Sequence, residues 1–519
     1  MKVTGKKIRV GISVLAAVFA ASVFVSAQAA DGNAKVSVKW ADVTRVSSTV
    51  PTTQILAHRN TLRTHPMHDP EFKALEDLKT NDTRLQAWYS IPIQAVPELK
   101  EPTDKETFWD FKYLDDLMED FYAHTTGRHH VNIGTVPRWM FNVPSMEVPT
   151  DPNVSFYNYT NDDTKGTLLK DPDGKQFADY QARIYQWYTQ GGFTDELGKE
   201  HKSGHHYKID TWGVMNETWL ENKINVQQYT KLYDAVVKAI HKIDPSVEFY
   251  GPEPAMTEIP WARYFLDPKN HDPEAVPLIK WFSFHNYVNS GNDPSKWHEA
   301  YFTAMPKAET GGASAKGMES RFAEVMKIRD QLSPHTQVIM DEGGTFDALV
   351  PKEHNCKAEH EYKEYHPLYW NATGANWAAT YIVATKMGVP LISMSQMDGY
   401  PTQCPSISMM NNDSMKPNSH YWALWLITHN FGPGDKVVAT ESSTENVFAQ
   451  AYITPAGRRV MLINTTDQPQ TVDLAGVFKA PLKVQVVDQA SGEQEPRKET
   501  LKSAHVTLAP FAVAVVSGL

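Results

Sequence analysis

Two glutamates stand where an apolar run stops. Thr211-Trp212-Gly213-Val214-Met215-Asn216-Glu217 is an apolar segment that ends in Asn-Glu, and Val338-Ile339-Met340-Asp341-Glu342-Gly343-Gly344 ends in a carboxylate followed by two glycines. A carboxyl at the exit of a buried strand is partly desolvated, which raises its pKa and suits it to give up a proton near neutral pH. Glycines beside such a group let the backbone take unusual angles and let a ligand approach. Each segment alone has a plainer reading: an acid opening a helix after a strand, or a simple strand-to-loop turn. Asp341 competes with Glu342, and Glu342 is favoured because it lies one step nearer the strand exit. As a pair the two segments fit one chemistry. Cleavage of a glycosidic bond needs two carboxyls flanking it, one to protonate the leaving oxygen and one to attack the anomeric carbon or activate water. Asn216, beside Glu217, is of a type that hydrogen-bonds a sugar hydroxyl.

Such a pair needs a scaffold that turns strand ends toward one place. Eight strand-like runs are spaced along the chain: Thr53–Ala57, Thr83–Trp88, His130–Val136, Thr211–Asn216, Val247–Gly251, Trp281–Tyr287, Gln337–Asp341 and Leu391–Ser395. Helical periodicity lies between several of them, most clearly over Val226–Ile243, where Val226, Tyr229, Leu232, Tyr233, Val236, Val237 and Ile240 share one face. Met318–Leu332 and Trp377–Met387 read the same way. This predicts an α/β fold, a (β/α)8 TIM barrel over residues 52–430. Glu217 then ends the fourth barrel strand and Glu342 the seventh, on opposing walls of one mouth. A carboxyl gap of about 5–5.5 Å would mean retention of configuration, a wider one inversion. Two segments without a strong period, Asn142–His206 and Leu349–Leu368, read as long excursions on the strand-exit side.

After the turn-rich Phe431-Gly432-Pro433-Gly434-Asp435 the pattern changes to short alternating strands, beginning with Lys436–Thr440 and ending with Phe511–Val516. This predicts a C-terminal all-β sandwich over residues 431–519. The N-terminal segment, residues 30–51, carries the strand-like run Lys35–Val43 and is expected to join that sandwich.

Several further stretches carry a resemblance. Asn-Glu at the end of strand four with Glu at the end of strand seven is the pattern of the retaining clan A glycosidase barrels. Trp109-Asp110-Phe111, Val136-Pro137-Arg138-Trp139-Met140-Phe141, Tyr188-Thr189-Gln190-Gly191-Gly192-Phe193-Thr194-Asp195 and Ser203-Gly204-His205-His206-Tyr207 look like glycoside hydrolase family 39, over about Thr52 to Asn430. The resemblance implies double displacement, with Glu217 as acid/base and Glu342 as nucleophile. It implies that Arg84, on the second strand, keeps the nucleophile ionised. It also implies that His285 and Tyr287, ending the sixth, stand against the pair. One departure matters. Many clan members end strand eight in a sugar-stacking Trp, whereas this chain reads Ser393-Met394-Ser395-Gln396-Met397-Asp398, which puts an unmodified xyloside in doubt. Gln396 and Asp398 offer polar contacts there instead, and Trp139 after strand three offers a stacking face or a core ring.

Composition narrows the partners. A formal net charge of −11, with no cluster of Lys and Arg beyond the extreme N-terminus, disfavours nucleic acid and anionic membrane. Lys2, Lys6, Lys7 and Arg9, an apolar run Val10 to Val25 and Ala27-Gln28-Ala29 have the layout of a cleaved export signal over residues 1–29. The chain is therefore expected in the periplasm or outside the cell, with no membrane partner after cleavage and an oligo- or polysaccharide as substrate. Cys356 and Cys404 would form a disulfide if their geometry allows it. The histidine groups His201, His205, His206 and His124, His129, His130 sit on no convincing helix and lack a completing carboxylate motif, so no metal and no cofactor are expected. Phosphate-loop and nucleophile-elbow patterns are absent from the sequence. Two alternatives stay open: a carbohydrate-binding protein on a hydrolase scaffold, and a transglycosylase or lyase using the same carboxyl pair.

Overall fold

The computed structural model describes residues 33–88, 90–159, 166–346, 365–398 and 407–519. The expected export signal, Cys356, Cys404 and most of the second excursion lie outside the described residues.

The first strand, β1 (Ala34–Val46), belongs to the β-domain, and the chain then enters the barrel. The barrel strands are β2 (Val50–Leu56), β3 (Asp82–Gln86), β4 (Arg128–Asn132), β5 (Thr211–Gly213), β6 (Glu248–Pro252), β7 (Trp281–Val288), β8 (Gln337–Thr345) and β9 (Leu391–Met394). All pair in parallel, and β9 returns to β2 through Leu391 opposite Val50 and Met394 opposite Thr53, which closes the ring. Parallel strands covered on both faces read as nearly continuous buried runs, as β2, β3 and β8 do here. Each barrel strand is followed by a crossover helix: α1 (His68–Asp77), α2 (Lys112–His124), α3 (Lys175–Thr189), α4 (Val226–His241), α5 (Ile259–Phe265), α6 (Ala315–Leu332), α7 (Tyr369–Met387) and α8 (Ser419–Thr428).

Helix α4 starts where Asn225 accepts a hydrogen bond from the Gln228 amide at 2.9 Å, and it buries Tyr229, Leu232, Tyr233, Val236, Val237 and Ile240. Helix α3 corrects the sequence reading. It lies inside the supposedly aperiodic stretch Asn142–His206 and buries Phe177, Tyr180, Ile184, Tyr185 and Tyr188 on one face. Its stripe is carried largely by tyrosines, in a stretch rich in Pro, Asp and Lys that reads as aperiodic when taken whole. It packs on α4 as the third crossover of the barrel.

The β-domain adds β10 (Lys436–Ser442), β11 (Val447–Thr454), β12 (Gly457–Asn464), β13 (Gln470–Asp473), β14 (Leu482–Val487), β15 (Arg497–Leu501), β16 (His505–Leu508) and β17 (Val513–Gly518). They form one nine-stranded sheet in the order β15-β14-β17-β12-β11-β10-β1-β13-β16. β1 lies inside that sheet, antiparallel to β10 from Val36 opposite Ser442 to Val46 opposite Lys436. Strand alternation divides the side chains between two cores. Val460, Leu462, Ala514 and Val516 fill the domain's own interior. Their neighbours Met461, Ile463, Val513 and Val515 join the core of the barrel. Phe511 lies against Trp297 and Phe302, with ring centroids 5.6 and 6.3 Å away. Among the described residues no helix is long and apolar enough to cross a membrane.

Candidate active site

β5 ends at Gly213, earlier than its apolar run suggested, and the next residues turn sharply. Met215 and Glu217 lie in the left-handed region at φ 66° and 39°. Residues with a Cβ stay there only where the surroundings hold them. The Glu217 amide donates to the Glu253 carbonyl at 2.9 Å, and Asn132 Nδ2 donates to the Met215 carbonyl at 2.7 Å. The turn delivers the Glu217 side chain to His285 on β7, whose Nδ1 lies 2.8 Å from Glu217 Oε1. Glu342 on β8 faces it. One oxygen of each glutamate and a ring nitrogen of His285 lie within 4.8 Å of one another.

Glu342 is held by three groups. Arg84 Nη1 donates to Oε2 at 2.7 Å, Tyr287 Oη donates to Oε1 at 2.5 Å, and His285 Nδ1 stands 3.7 Å from Oε1. Arg84, 2% exposed, also donates to Glu253 at 2.5 Å, to Asn216 Oδ1 at 2.8 Å, to Gln86 at 3.2 Å and to Gln54. The charges of the two glutamates diverge as a result. Burial pushes Glu342 up, but His285, Arg84 and hydrogen bonds from Tyr287 and Gln54 outweigh it and hold this carboxyl below its usual range. Burial also pushes Glu217 up, and there it wins over the bond from His285, with the Glu342 charge adding to the rise. Burial works against a charge on His285, yet the surrounding carboxylates raise its pKa. The two carboxyls are thus shifted in opposite directions, Glu342 toward its ionised form and Glu217 toward its protonated form.

Of the residues singled out from sequence, Glu217, Glu342, Asn216, Arg84, His285 and Tyr287 come together here. Both ends of the Asn216 amide are engaged, accepting from Arg84 and donating to Glu221 at 2.7 Å. Trp139 donates its indole N–H to the Glu98 carbonyl at 2.8 Å. It lines a separate cleft of about 510 Å³ with Glu98, Tyr180 and Arg183, a lining that contains neither glutamate of the pair. Gln396 is buried. Asp398 is buried and accepts from Asn60 and from Ser408 at 3.1 Å.

Sequence reasoning missed Gln54, Asn132, Glu221 and Glu253, all buried around the pair. Glu253 follows the fifth barrel strand in Gly251-Pro252-Glu253-Pro254. The strand-end rule that found Glu217 would have found it too. Among the described residues two groups have ligand atoms close enough for a cation, Glu217 with His285 and Glu342, and Glu253 with His285 and Asp341. Both share His285, and the Arg84 guanidinium already supplies positive charge to Glu342 and Glu253. Within the sequence's two histidine groups, His201 meets Asp195 at 2.8 Å, His205 meets Asp115 at 3.5 Å, and His130 meets Asp82 at 3.2 Å.

The fold is similar to that of several solved glycosidases. An α-L-arabinofuranosidase from Thermotoga maritima superposes with a TM-score of 0.62 at 13% identity, covering 93% of this chain and 99% of that one. A glucosidase from Croceicoccus marinus gives 0.60 at 14% identity, over 94% and 99%. CelM2, a bifunctional glucanase-xylanase from a metagenome library, gives 0.56 at 13% identity, over 93% and 98%. A comparison with curated proteins gives no match. One family model matches, described as the C-terminal immunoglobulin-like domain of D-apionate lactonase, over residues 445–516. That match lies wholly within the β-domain. The architecture is thus a closed (β/α)8 barrel of the kind these glycosidases have, joined to an immunoglobulin-like all-β domain.

Proposed function

We propose that the protein is a retaining glycoside hydrolase that cleaves β-glycosidic bonds of an oligo- or polysaccharide by double displacement. One observation carries the reading: the two glutamates approach within 4.8 Å while one is held ionised and the other is pushed toward its protonated form. Glu342 attacks the anomeric carbon and forms a glycosyl ester. Glu217 gives its proton to the leaving oxygen, then takes one from the water that hydrolyses the ester. An approach of the nearest oxygens within 4.8 Å is compatible with the spacing of about 5–5.5 Å between carboxyls that retention uses. Arg84 and Tyr287 keep Glu342 anionic, His285 orients Glu217, and Asn216 ties Arg84 to the acid's turn. Gln396, Asp398 and Trp139 remain assigned to substrate contacts beyond the reacting centre. The family 39 assignment rests on the quoted motifs, and export rests on the N-terminal signal pattern. In this reading residues 52–430 carry the chemistry, and residues 30–51 and 431–519 the β-domain.

The test uses Glu342→Gly. It should abolish cleavage of an activated aryl β-glycoside, and added azide should restore turnover as a glycosyl azide of inverted configuration. Absence of rescue would count against Glu342 as nucleophile. Product masses separate the related reactions: hydrolysis adds one water, elimination adds none, and transfer lengthens the acceptor.

A further inference from the structure

Successive residues of a strand point to opposite faces. A strand ending Asp-Glu should therefore offer one carboxylate to the barrel interior and turn the other away. β8 does not. Its pairing with β7 slips between Ile339 and Glu342, and its pairing with β9 slips between Met340 and Gly343. Such bulges re-aim side chains. Here Asp341 and Glu342 both reach the same two partners. Glu342 touches Arg84 and stands near Nδ1 of His285, while Asp341 lies 3.8 Å from Nε2 of His285 and 3.7 Å from Nε of Arg84.

Asp341 is 2% exposed, and neither of its oxygens takes a hydrogen bond; Nε2 of His285 and Nε of Arg84 are also unpartnered and buried. A buried carboxylate left without hydrogen bonds is costly. A packing role would be served as well by an uncharged side chain of the same shape. The groups facing His285 are Glu217 from the turn after β5, Glu342 and Asp341 from β8, and Glu253 from beyond β6, with Arg84 of β3 behind them. Glu253 is committed to Arg84 and Asn132, and Glu342 to Arg84 and Tyr287. Asp341 has no such commitment and sits at the ring nitrogen opposite the one that meets Glu217.

Resting on the reading of Glu217 as acid/base, we propose that Asp341 is a positioning residue: it keeps His285 protonated at both nitrogens, so that a cationic ring presents Nδ1–H to Oε1 of Glu217 and the acid's own proton stays on its other oxygen. A neutral imidazole has one N–H, and a doubly protonated one donates from both nitrogens. Burial pushes the Asp341 carboxyl up while His285 and Arg84 pull it down, and in its ionised form Asp341 favours the doubly protonated ring. His285 then keeps both protons throughout. The proton of Glu217 goes to the leaving oxygen and is regained from the attacking water. Without Asp341 the ring is favoured as a neutral imidazole that donates from one nitrogen only, and Glu217 loses the cation beside it.

Asp341→Asn tests this, because it keeps the shape and removes the charge. The probes are the 2,4-dinitrophenyl β-glycoside that the wild-type protein cleaves fastest and its methyl counterpart. The kcat/KM for the methyl glycoside should fall about 100-fold, while the dinitrophenyl substrate, whose leaving group needs no proton, should stay within about threefold. The basic limb of the pH profile should move up by about one unit, since Glu217 loses the cation that stabilises its anion. A structural role would lower both substrates together and leave the limb in place, and that result overturns the proposal. A readout independent of activity is the 15N shift of His285 in histidine-labelled protein. Asp341→Asn should lower the pH at which the ring loses its second proton, and an unmoved titration also overturns the proposal. If the wild-type protein cleaves no glycoside yet the titration moves, the control of His285 by Asp341 stands and only the glycosidase reading falls. If Asp341→Asn does not fold, Asp341→Ser takes its place under the same readouts.

Discussion

At the residue scale, Arg84 links most of the site through one guanidinium. It binds the carboxylate of Glu342, the carboxylate of Glu253 and the amide oxygen of Asn216. Arg84→Met should therefore act in two ways. Glu342 is a carboxyl whose pKa is depressed in the fold, so its stabilising effect is full above its ordinary value and is lost as pH falls. Without Arg84 that depression shrinks, and the acidic limb of kcat/KM should move to higher pH. Glu253 is left buried beside a missing partner, and unfolding in urea at pH 7 should show a loss of about 3–5 kcal/mol. Glu98 has the opposite sign. Burial lifts it from 4.5 to about 7, so the fold favours its protonated form and loses stability as pH rises through that window. Glu98→Gln should gain in Tm relative to wild type at pH 8 and show little gain at pH 4.5, which a thermal melt series can check. The strand-end rule pointed to Glu217 and Glu342, and the family resemblance added Arg84, His285 and Tyr287. Asp341 was legible only as a rival to Glu342, because a bulge depends on neighbouring strands rather than on its own residues. Trp139 and Asp398 were legible as types, but where a ring or carboxylate turns is decided by partners such as Glu98 and Asn60.

At the element scale, β7 and the segment before α6 hold each other closely. Asn286 exchanges hydrogen bonds with the backbone of Ala313, and a Cβ on Gly312 would come 1.7 Å from the Tyr287 carbonyl oxygen. Gly312→Ala must displace the backbone that carries Tyr287. The expected result is a stability loss of about 1–3 kcal/mol with a fall in kcat/KM of more than about tenfold, read from denaturation and initial rates. The barrel strands were readable because parallel strands buried on both faces leave apolar runs. The exit of β5 was not, since its last apolar residues belong to a left-handed turn set by Glu253 and Asn132. Helix α3 was missed because its buried face, with Tyr180, Tyr185 and Tyr188, lies in a stretch rich in Pro, Asp and Lys that reads as aperiodic when taken whole.

At the scale of the whole molecule, barrel and β-domain share a core. Tyr452 lies against Phe431 with ring centroids 4.7 Å apart and its hydroxyl is 3.0 Å from Thr385, while Phe511 lies against Trp297 and Phe302. Two bodies joined through apolar packing of this kind are expected to melt together. Calorimetry should show one transition, and Phe511→Ala should lower it as a whole, by about 3–5 kcal/mol, without splitting it. The composition break after Asn430 was legible, but the shared core was not, because alternate residues of one strand serve different interiors.

The interior place of β1 in the nine-stranded sheet bears on how the chain assembles during synthesis. Val36 pairs with Ser442, so the strand made first waits for nearly the whole barrel before its partner leaves the ribosome. Until then β1 is an unpaired edge, which other chains can capture. The barrel must close in that interval without the β-domain that covers part of its core. The last strand of the sheet in chain order, β17, then inserts between β12 and β14, neighbours much closer in sequence than β1 is to β10.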